Sequence, residues 1–414
     1  MRVNLQVLGC RLNEAELQQW AGDFQRHGDV ITSNVDDADL LVVNTCAVTG
    51  EAGRKSRQLI RRAQRRNPQA RLVVSGCYAT LEQQKTAEME GVDLVVSNQD
   101  KDRLVERVRD ELDLKTMPVL AQRPAETALF QRGRSRAFIK VQDGCRWRCT
   151  YCIVTIARGE ERSTPVDKII EQINQHVEQG VKEIVLTGVH LGGYGSDINS
   201  DLYSLTQSVL KETDVPRIRF GSLEPWDLHE GFFGLFADER IMPHLHLPLQ
   251  SGSNSVLKRM SRRCNTNDYA DLIAVARRDI PDFNVTTDII IGFPGESDDE
   301  WEEGYDFIES IGFGHTHIFT FSPRDGTKAA TLADPVDPVV MKLRSRQLHD
   351  LAEKMKEDFT QQQAGRTYQV LIEDNVEITG DGRFQYSGYT PNYLRVRFKS
   401  DDEAVGNQII QYQV

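Results

Sequence analysis

The sequence predicts an α/β protein in three parts: an N-terminal parallel α/β sheet domain, a partial (β/α)6 barrel, and a small C-terminal β-barrel. Three observations lead there. The first 115 residues alternate short apolar runs with polar helical stretches, the pattern of βαβ units around a parallel sheet. From residue 135 a second, longer series of strand-and-helix units follows. The last fifty or so residues break into short strands that alternate apolar and polar positions, as in a small antiparallel barrel.

In chain order, the first series has apolar runs at Val3–Leu8, Leu40–Val43, Leu72–Val74 and Leu94–Val96. Residues 1–115 are therefore expected to form one domain. Residues 116–134 read as a linker, since they have no clear period, contain Pro118 and Pro124, and end in Arg132-Gly-Arg134. The expected barrel domain covers 135–362. Its strand-like runs end near Asp143, Gly188, Glu224, Gln250, Gly292 and Ser322, with helical stretches such as Val166–Gln179, Asn267–Arg278 and Glu300–Ile311 between them. Six such units suit an open barrel, whose active face is built by the loops after the strands. Val336–Gln363 is one long charged helical stretch. The expected last domain, 363–414, has strands at Tyr368–Ile372, Phe384–Tyr386, Leu394–Phe398 and Ile409–Val414.

Composition narrows the function. A formal net charge of −12 argues against diffuse binding to polyanions but leaves room for a local basic patch. No run of 18 apolar residues offers a membrane span, and the N-terminus lacks the pattern of a signal peptide. A cytoplasmic protein with no membrane association is the expectation. Seven cysteines in such a chain point to metal binding or catalysis ahead of disulfides.

The strongest motif is Cys145-Arg-Trp-Arg-Cys149-Thr-Tyr-Cys152, directly after the first barrel strand. Thiolates at this density suit an iron–sulfur cluster. Three of them hold three irons of a 4Fe-4S cube and leave the fourth open. In this motif that iron is expected to take the amino and carboxylate groups of S-adenosylmethionine, which would make Cys145, Cys149 and Cys152 both metal ligands and catalytic. A zinc site short of one ligand, or three buried thiols, is the plain alternative.

Cys10, Cys46 and Cys77 form a second set. They are 36 and 31 residues apart, about one βαβ unit each, and each follows an apolar run. Loops after parallel strands gather on one sheet edge, so the three thiols are expected to converge as ligands of a second cluster. Three small buried side chains are the plain alternative. Cys264 has no partner in either set and reads as an incidental thiol.

Gly9-Cys10-Arg-Leu-Asn13, Asn44-Thr-Cys46-Ala-Val-Thr49, Lys55-Ser-Arg-Gln58 and Ser75-Gly-Cys77-Tyr78 resemble the N-terminal domain of the radical-SAM methylthiotransferases. Gln142-Asp-Gly-Cys145 through Ala157-Arg-Gly159 is similar to their cluster motif, and Leu186-Thr-Gly188, Ser222-Leu-Glu-Pro225, His246-Leu-Pro-Leu-Gln-Ser-Gly252 and Gly292-Phe-Pro-Gly-Glu296 to later barrel segments. The last fifty residues resemble a TRAM domain. One departure is Thr155, where the family generally has proline; it removes no ligand. Gly-Cys-Arg-Leu-Asn, Lys-Ser-Arg-Gln and Gly388-Tyr-Thr-Pro-Asn-Tyr393 tilt the resemblance to the branch acting on N6-threonylcarbamoyladenosine beside the tRNA anticodon.

The resemblance implies two 4Fe-4S clusters and S-adenosylmethionine. The barrel cluster would generate the radical that takes hydrogen from adenine C2. The N-terminal cluster would supply or relay sulfur, and a second S-adenosylmethionine the methyl group. A tRNA substrate, a reducing electron donor and a sulfur source are the implied partners. Gly188, Glu224, Gln250, Gly292 and Gly295, at barrel strand ends, are the expected cofactor contacts. A methylthiotransferase for isopentenyladenosine in tRNA, or for an aspartate of a ribosomal protein, is the alternative by the same chemistry. A non-enzymatic iron–sulfur RNA-binding protein is a further alternative, though an electron carrier would close all four iron positions with cysteine.

Two basic stripes are candidates for RNA. Arg54, Arg57 and Arg61, with Lys55, Arg62, Arg65 and Arg66, fall at helical spacing after Cys46. Arg395, Arg397 and Lys399 alternate with apolar residues along one strand. Either could be a solvated face; either suits phosphates. Tyr386, Tyr389 and Tyr393 could stack on bases or fill the small domain's core.

Overall fold

The computed structural model describes residues 1–112, 135–401 and 405–414, so the expected linker 116–134 lies outside the described residues. The chain divides into two compact units. The first comprises Met1–Arg132 together with Asp143–Trp147 and Cys152–Glu160; the second comprises Gly133–Gln142, Arg148–Tyr151 and Glu161–Val414.

In the first unit, strands β1 (Arg2–Val7), β2 (Val30–Ile31), β3 (Leu40–Thr45), β4 (Arg71–Gly76) and β5 (Leu94–Val96) form one sheet in the order β2-β1-β3-β4-β5. Every pairing is parallel. Central β3 is buried at all six positions, because successive side chains point to opposite faces and both faces are covered. Leu40 and Val42 join a core with Trp20, Phe24 and Leu104, whereas Leu41 and Val43 join one with Ile60, Ala63 and Tyr78. The helix Gly50–Arg66 starts on Thr49, whose side chain accepts from Ala52 N, a standard N-cap.

The second unit carries six parallel barrel strands in two arcs. Arg136–Lys140, Glu183–Thr187 and Arg217–Phe220 form the first, and His244–His246, Asn284–Ile291 and His315–Thr320 the second. A parallel bridge between Ser222 and His246 joins the arcs. The helix Asp298–Ile311 opens with a reciprocal Ser297–Glu300 capping box. The C-terminal strands Thr367–Ile378, Phe384–Tyr389, Arg395–Ser400 and Ile409–Gln413 pair antiparallel in one four-stranded sheet, with the first of them between the second and the last.

The C-terminal sheet is fastened to the barrel by an ionic and aromatic cluster. Glu183, fully buried, meets Arg219 Nε at 2.9 Å and also pairs with Arg136 and Arg217. Burial alone would push the Glu183 carboxyl up, but the guanidiniums of Arg219, Arg136 and Arg217 outweigh it and hold it at about 2. Arg219 donates onward to the carbonyls of Pro391 at 2.8 Å and Thr390 at 2.9 Å. The Tyr393 ring stacks between Tyr389 at 4.7 Å and His244 at 4.6 Å.

Candidate active site

The three strands β1, β3 and β4 are adjacent in the sheet, so the loops after them share one edge. Cys10, Cys46 and Cys77 stand there. Gly9 backs directly onto Cys46: a Cβ at Gly9 would lie 2.9 Å from Cys46 Cβ and 3.2 Å from its Sγ. Gly76, at φ 96°, turns the chain into Cys77 where a Cβ would fall 2.3 Å from the Thr45 carbonyl oxygen; only glycine fits that approach. Buried Ser56 accepts from Cys46 N at 3.1 Å and donates to Cys46 O at 2.8 Å. That pair of bonds pins the Cys46 loop to the helix Gly50–Arg66.

Cys46 and Cys77 are buried, whereas Cys10 has an exposed residue surface. Desolvation pushes the Cys46 thiol up to about 11. It also raises Cys10, with Arg158 pulling the other way and Cys77 adding to the rise. All three thiols feel one another electrostatically. Soft sulfur donors gathered at one sheet edge fit a metal cluster, whose iron takes the place of the thiol proton.

A buried polar group lies behind this triad within the same unit. Arg158 Nη1 meets Glu16 at 2.9 Å and Asp143 at 3.0 Å, and its Nη2 donates to Asn13 Oδ1 at 2.8 Å. Lys101 Nζ pairs with Glu16 and donates to Asn98 Oδ1 at 2.9 Å. Asn98 Nδ2 in turn donates to Cys77 Sγ at 3.6 Å. Asn44 completes Glu16 with a bond of 3.0 Å.

Cys145, Cys149 and Cys152 are half-buried. In the first unit, Cys145 N donates to Gly159 O at 3.0 Å. In the second, Cys149 Sγ lies 4.0 Å from Arg262 Nη1. Neighbouring Thr150 is tied down by bonds to Met260 O at 3.0 Å and Arg259 O at 2.9 Å. Three thiols within eight residues give the donor set a 4Fe-4S cube with one open iron requires.

The expected cofactor residues stand at the ends of barrel strands. Gly188 follows the second strand and packs on Gln142, whose Oε1 accepts from His190 N at 2.9 Å. Glu224 is ion-paired to Arg262 at 2.9 Å. Arg262 also donates to Pro248 O and lies 4.4 Å from the centre of the Trp226 ring. Burial alone would lower its pKa, but Glu224, Tyr151 and the thiols of Cys149 and Cys264 together outweigh burial and raise it. Gln250 is buried and bridges to Ile289, donating to Asp288 O at 2.8 Å. Gly292 N donates to Glu296 at 3.0 Å and Gly295 N to Asp334 O at 2.7 Å. Arg344 fixes Glu296 at 2.8 Å.

Arg54 and Arg61 are exposed, and Arg57 is half-buried with its guanidinium 5.6 Å from the Tyr78 ring. Glu51 engages Arg54 at 3.6 Å and Lys55 at 3.0 Å. On the strand Arg395–Ser400 the basic side chains are exposed and alternate with buried Val396 and half-buried Phe398, although Lys399 pairs with Asp381 at 3.0 Å. Tyr386 is core, and Tyr389 and Tyr393 are engaged in the stack described above, not presented as a base platform. Cys264 is buried, which raises its thiol pKa. Lys101, Glu16, Asn98 and Arg262 carry no sequence signal of their own, and Arg158, though it lies in the Ala157-Arg-Gly159 end of the cluster motif, gives no sign there of its buried pairing; only their partners reveal these roles.

Two family models match the chain: Uncharacterized protein family UPF0004 over residues 2–97 and Radical SAM superfamily over residues 139–308. The threonylcarbamoyladenosine tRNA methylthiotransferase MtaB of Bacillus subtilis (strain 168) is 35% identical, covering 98% of this chain and 92% of the relative. A tRNA-2-methylthio-N(6)-dimethylallyladenosine synthase of Bacillus velezensis is 31% identical over 97% of this chain and 81% of the relative. Among solved structures, the radical S-adenosylmethionine methyltransferase TsrM of Kitasatospora setae, with cobalamin and a [4Fe-4S] cluster bound, superposes with a TM-score of 0.59 at 14% identity. That match covers 80% of this chain and 77% of TsrM, and it speaks to the fold alone.

Proposed function

Because the chain belongs to the radical-SAM tRNA methylthiotransferase family, we propose that it is the enzyme that places a methylthio group on C2 of N6-threonylcarbamoyladenosine in tRNA. The observation that carries this reading is the presence of two three-cysteine sets in one chain of near full-length similarity to the threonylcarbamoyl relative. One set is the C-x3-C-x2-C run after a barrel strand. The other sits on adjacent strand ends of the N-terminal sheet. When bound, a 4Fe-4S cluster and S-adenosylmethionine supply a carbon radical that can take hydrogen from an aromatic C–H bond inert to acid–base chemistry.

The chain's own residues hold and orient. Cys145, Cys149 and Cys152 would ligate the cluster that meets S-adenosylmethionine, and Cys10, Cys46 and Cys77 a second 4Fe-4S cluster on the sulfur side of the reaction. Gly188, Glu224, Gln250, Gly292 and Gly295 would line the cofactor, with Arg262 holding Glu224 in place. Arg54, Arg57, Arg61, Arg395 and Arg397 would hold tRNA phosphates, which orient the substrate without choosing the base, while Lys399 is taken up by Asp381. A reducing electron donor and a sulfur source complete the reaction, in the cytoplasm. Among the described residues no helix is long and apolar enough to cross a membrane.

The test offers anaerobically reduced enzyme three matched tRNAs: unmodified, isopentenylated and threonylcarbamoylated. Nucleoside mass spectrometry should find the methylthio product from the last alone. Turnover confined to the isopentenylated tRNA would assign the chain to the sister branch. No turnover on any tRNA, with activity on a ribosomal protein, would refute the RNA reading.

A further inference from the structure

We propose that Arg158 and Lys101 form a buried positive bracket that sets the reduction potential of the iron–sulfur group held by Cys10, Cys46 and Cys77. The inference rests on the reading of those three cysteines as ligands.

Both cations are shut away from water, with side-chain exposures of 2% for Arg158 and 0% for Lys101. Burying a charge costs several kcal/mol unless it is answered. Glu16 and Asp143 answer these two: Glu16 pairs with both, Asp143 meets Arg158 at 3.0 Å and Lys101 at 4.0 Å. The four charges sum to zero, so what reaches the sulfurs is the orientation of the pairs.

That orientation favours the cations. Each reaches one cysteine through one carboxamide. Arg158 bonds Asn13 Oδ1 at 2.8 Å, and the same oxygen lies 3.8 Å from Cys10 Sγ. Lys101 bonds Asn98 Oδ1 at 2.9 Å, and the Asn98 amide donates to Cys77 Sγ at 3.6 Å. Glu16 and Asp143 hold the two cations in place, and the carboxamides of Asn13 and Asn98 link them to the cysteine side of the group.

An iron–sulfur cluster gains a negative charge on reduction, and its potential follows local charge and N–H···S bonds. The bracket therefore stabilises the reduced form. Arg158 also lies six residues beyond Cys152, in a segment that belongs to the same compact unit as the N-terminal triad. The chain segment that carries a ligand of one cluster thus carries the charge that tunes the other.

The experiment uses full-length protein with Cys145, Cys149 and Cys152 replaced by alanine, so that only the N-terminal triad binds iron. Anaerobic reconstitution should give about four irons; a parent without iron would overturn the ligand reading, and this inference with it. An EPR-monitored redox titration then compares R158Q, R158K and the double variant R158Q/E16Q. R158Q should lose about tenfold in reduced fraction at a fixed potential, a shift of about 59 mV to more negative values for one electron. R158K should stay near the parent. In R158Q/E16Q a negative charge leaves with the positive one, so the potential should return toward the parent, and any iron lost by R158Q should be regained. An R158Q protein with full iron and the parental potential would overturn the proposal. So would equal iron loss in R158Q and R158Q/E16Q, because charge would then not be what Arg158 contributes.

Discussion

Nε2 of His190 lies 2.6 Å from Oδ2 of Asp227, while the other ring nitrogen lies 2.6 Å from Glu161. The imidazole is almost fully buried, at 1% side-chain exposure, in the loop after the second barrel strand. Burial alone would lower its pKa, but the bonds to Asp227 and Glu161 outweigh burial and raise it. The two carboxylates thus favour the protonated imidazole. A raised folded pKa gives stability that is complete below the unfolded value of about 6.5 and drains away as pH climbs through the folded value. Denaturant titrations should find H190Q less stable than wild type by roughly 1.5–3 kcal/mol at pH 6, the scale of charged hydrogen bonds. The gap should narrow at pH 9. A gap that widens with pH would show the imidazole to be neutral.

The two cysteine sets should separate by phenotype. Reconstituted wild type should hold about eight irons and either triple alanine variant about four. Loss of Cys145, Cys149 and Cys152 should abolish deoxyadenosine formation. Loss of Cys10, Cys46 and Cys77 should leave it intact while the methylthio product disappears. Chromatography of both products from single reactions distinguishes the cases; deoxyadenosine from the first variant would refute the assignment of the active cluster.

Glu183 keeps three guanidiniums together beneath the C-terminal sheet. Its carboxyl is held at about 2, so its contribution is present above about pH 4.3 and lost as pH falls toward that lower value. Replacing it with glutamine at neutral pH strands the cations. The cost should be about 3–5 kcal/mol, the scale for breaking one side of a buried pair. Hydrogen exchange should report it first along Thr367–Ile378 and Phe384–Tyr389, whose Gln369 and Tyr389 carbonyls accept from Arg217. Unchanged protection there in E183Q would show that the cluster is not the fastening.

Binding of tRNA should weaken as salt rises. Substituting alanine at Arg395 and Arg397 should lower the slope of log affinity against log salt by roughly two, about one for each phosphate left without its cation. Adding K399A should change little further, because Lys399 already answers Asp381 at 3.0 Å. Filter binding over a salt series decides it. An unaltered slope would move the RNA surface away from this strand.

The convergence of Cys10, Cys46 and Cys77 is legible in the sequence because each follows an apolar run, and runs buried on both faces, such as Leu40–Thr45, leave a strong mark there. Barrel strands such as Glu183–Thr187, buried at every position, declare themselves the same way, and the long helix Pro338–Gln363 does so by the length of its charged stretch. Glu16 and Lys101 do not. A charged residue in a polar stretch reads as a solvated face, and its burial is decided by partners up to 142 residues away, as for Arg158 and Glu16. Tyr389 and Tyr393 are ambiguous for a related reason. An aromatic at the end of a strand or in the turn after it suits a base as well as a core, and only the stack of Tyr389 on Tyr393 and of Tyr393 on His244 assigns these two. The two-residue strand Val30–Ile31 is too short to show any periodicity.

The membership of Asp143–Trp147 and Cys152–Glu160 in the N-terminal unit has a bearing on how such a protein can be cut and recombined. Arg158 depends on Glu16 and Asn13, and Asn98 bonds the Ala157 carbonyl at 2.8 Å. A chimera that exchanges only residues 1–112 between two relatives would mate one protein's Glu16 and Asn98 with the other's Arg158 segment. Grafts that carry Asp143–Trp147 and Cys152–Glu160 along with the first 112 residues should tolerate exchange where the simple swap does not. The stretches bearing Cys145 and Cys152 thus belong with the N-terminal sheet, and a substitution at Glu16 or at Arg158 strips the other of a buried partner.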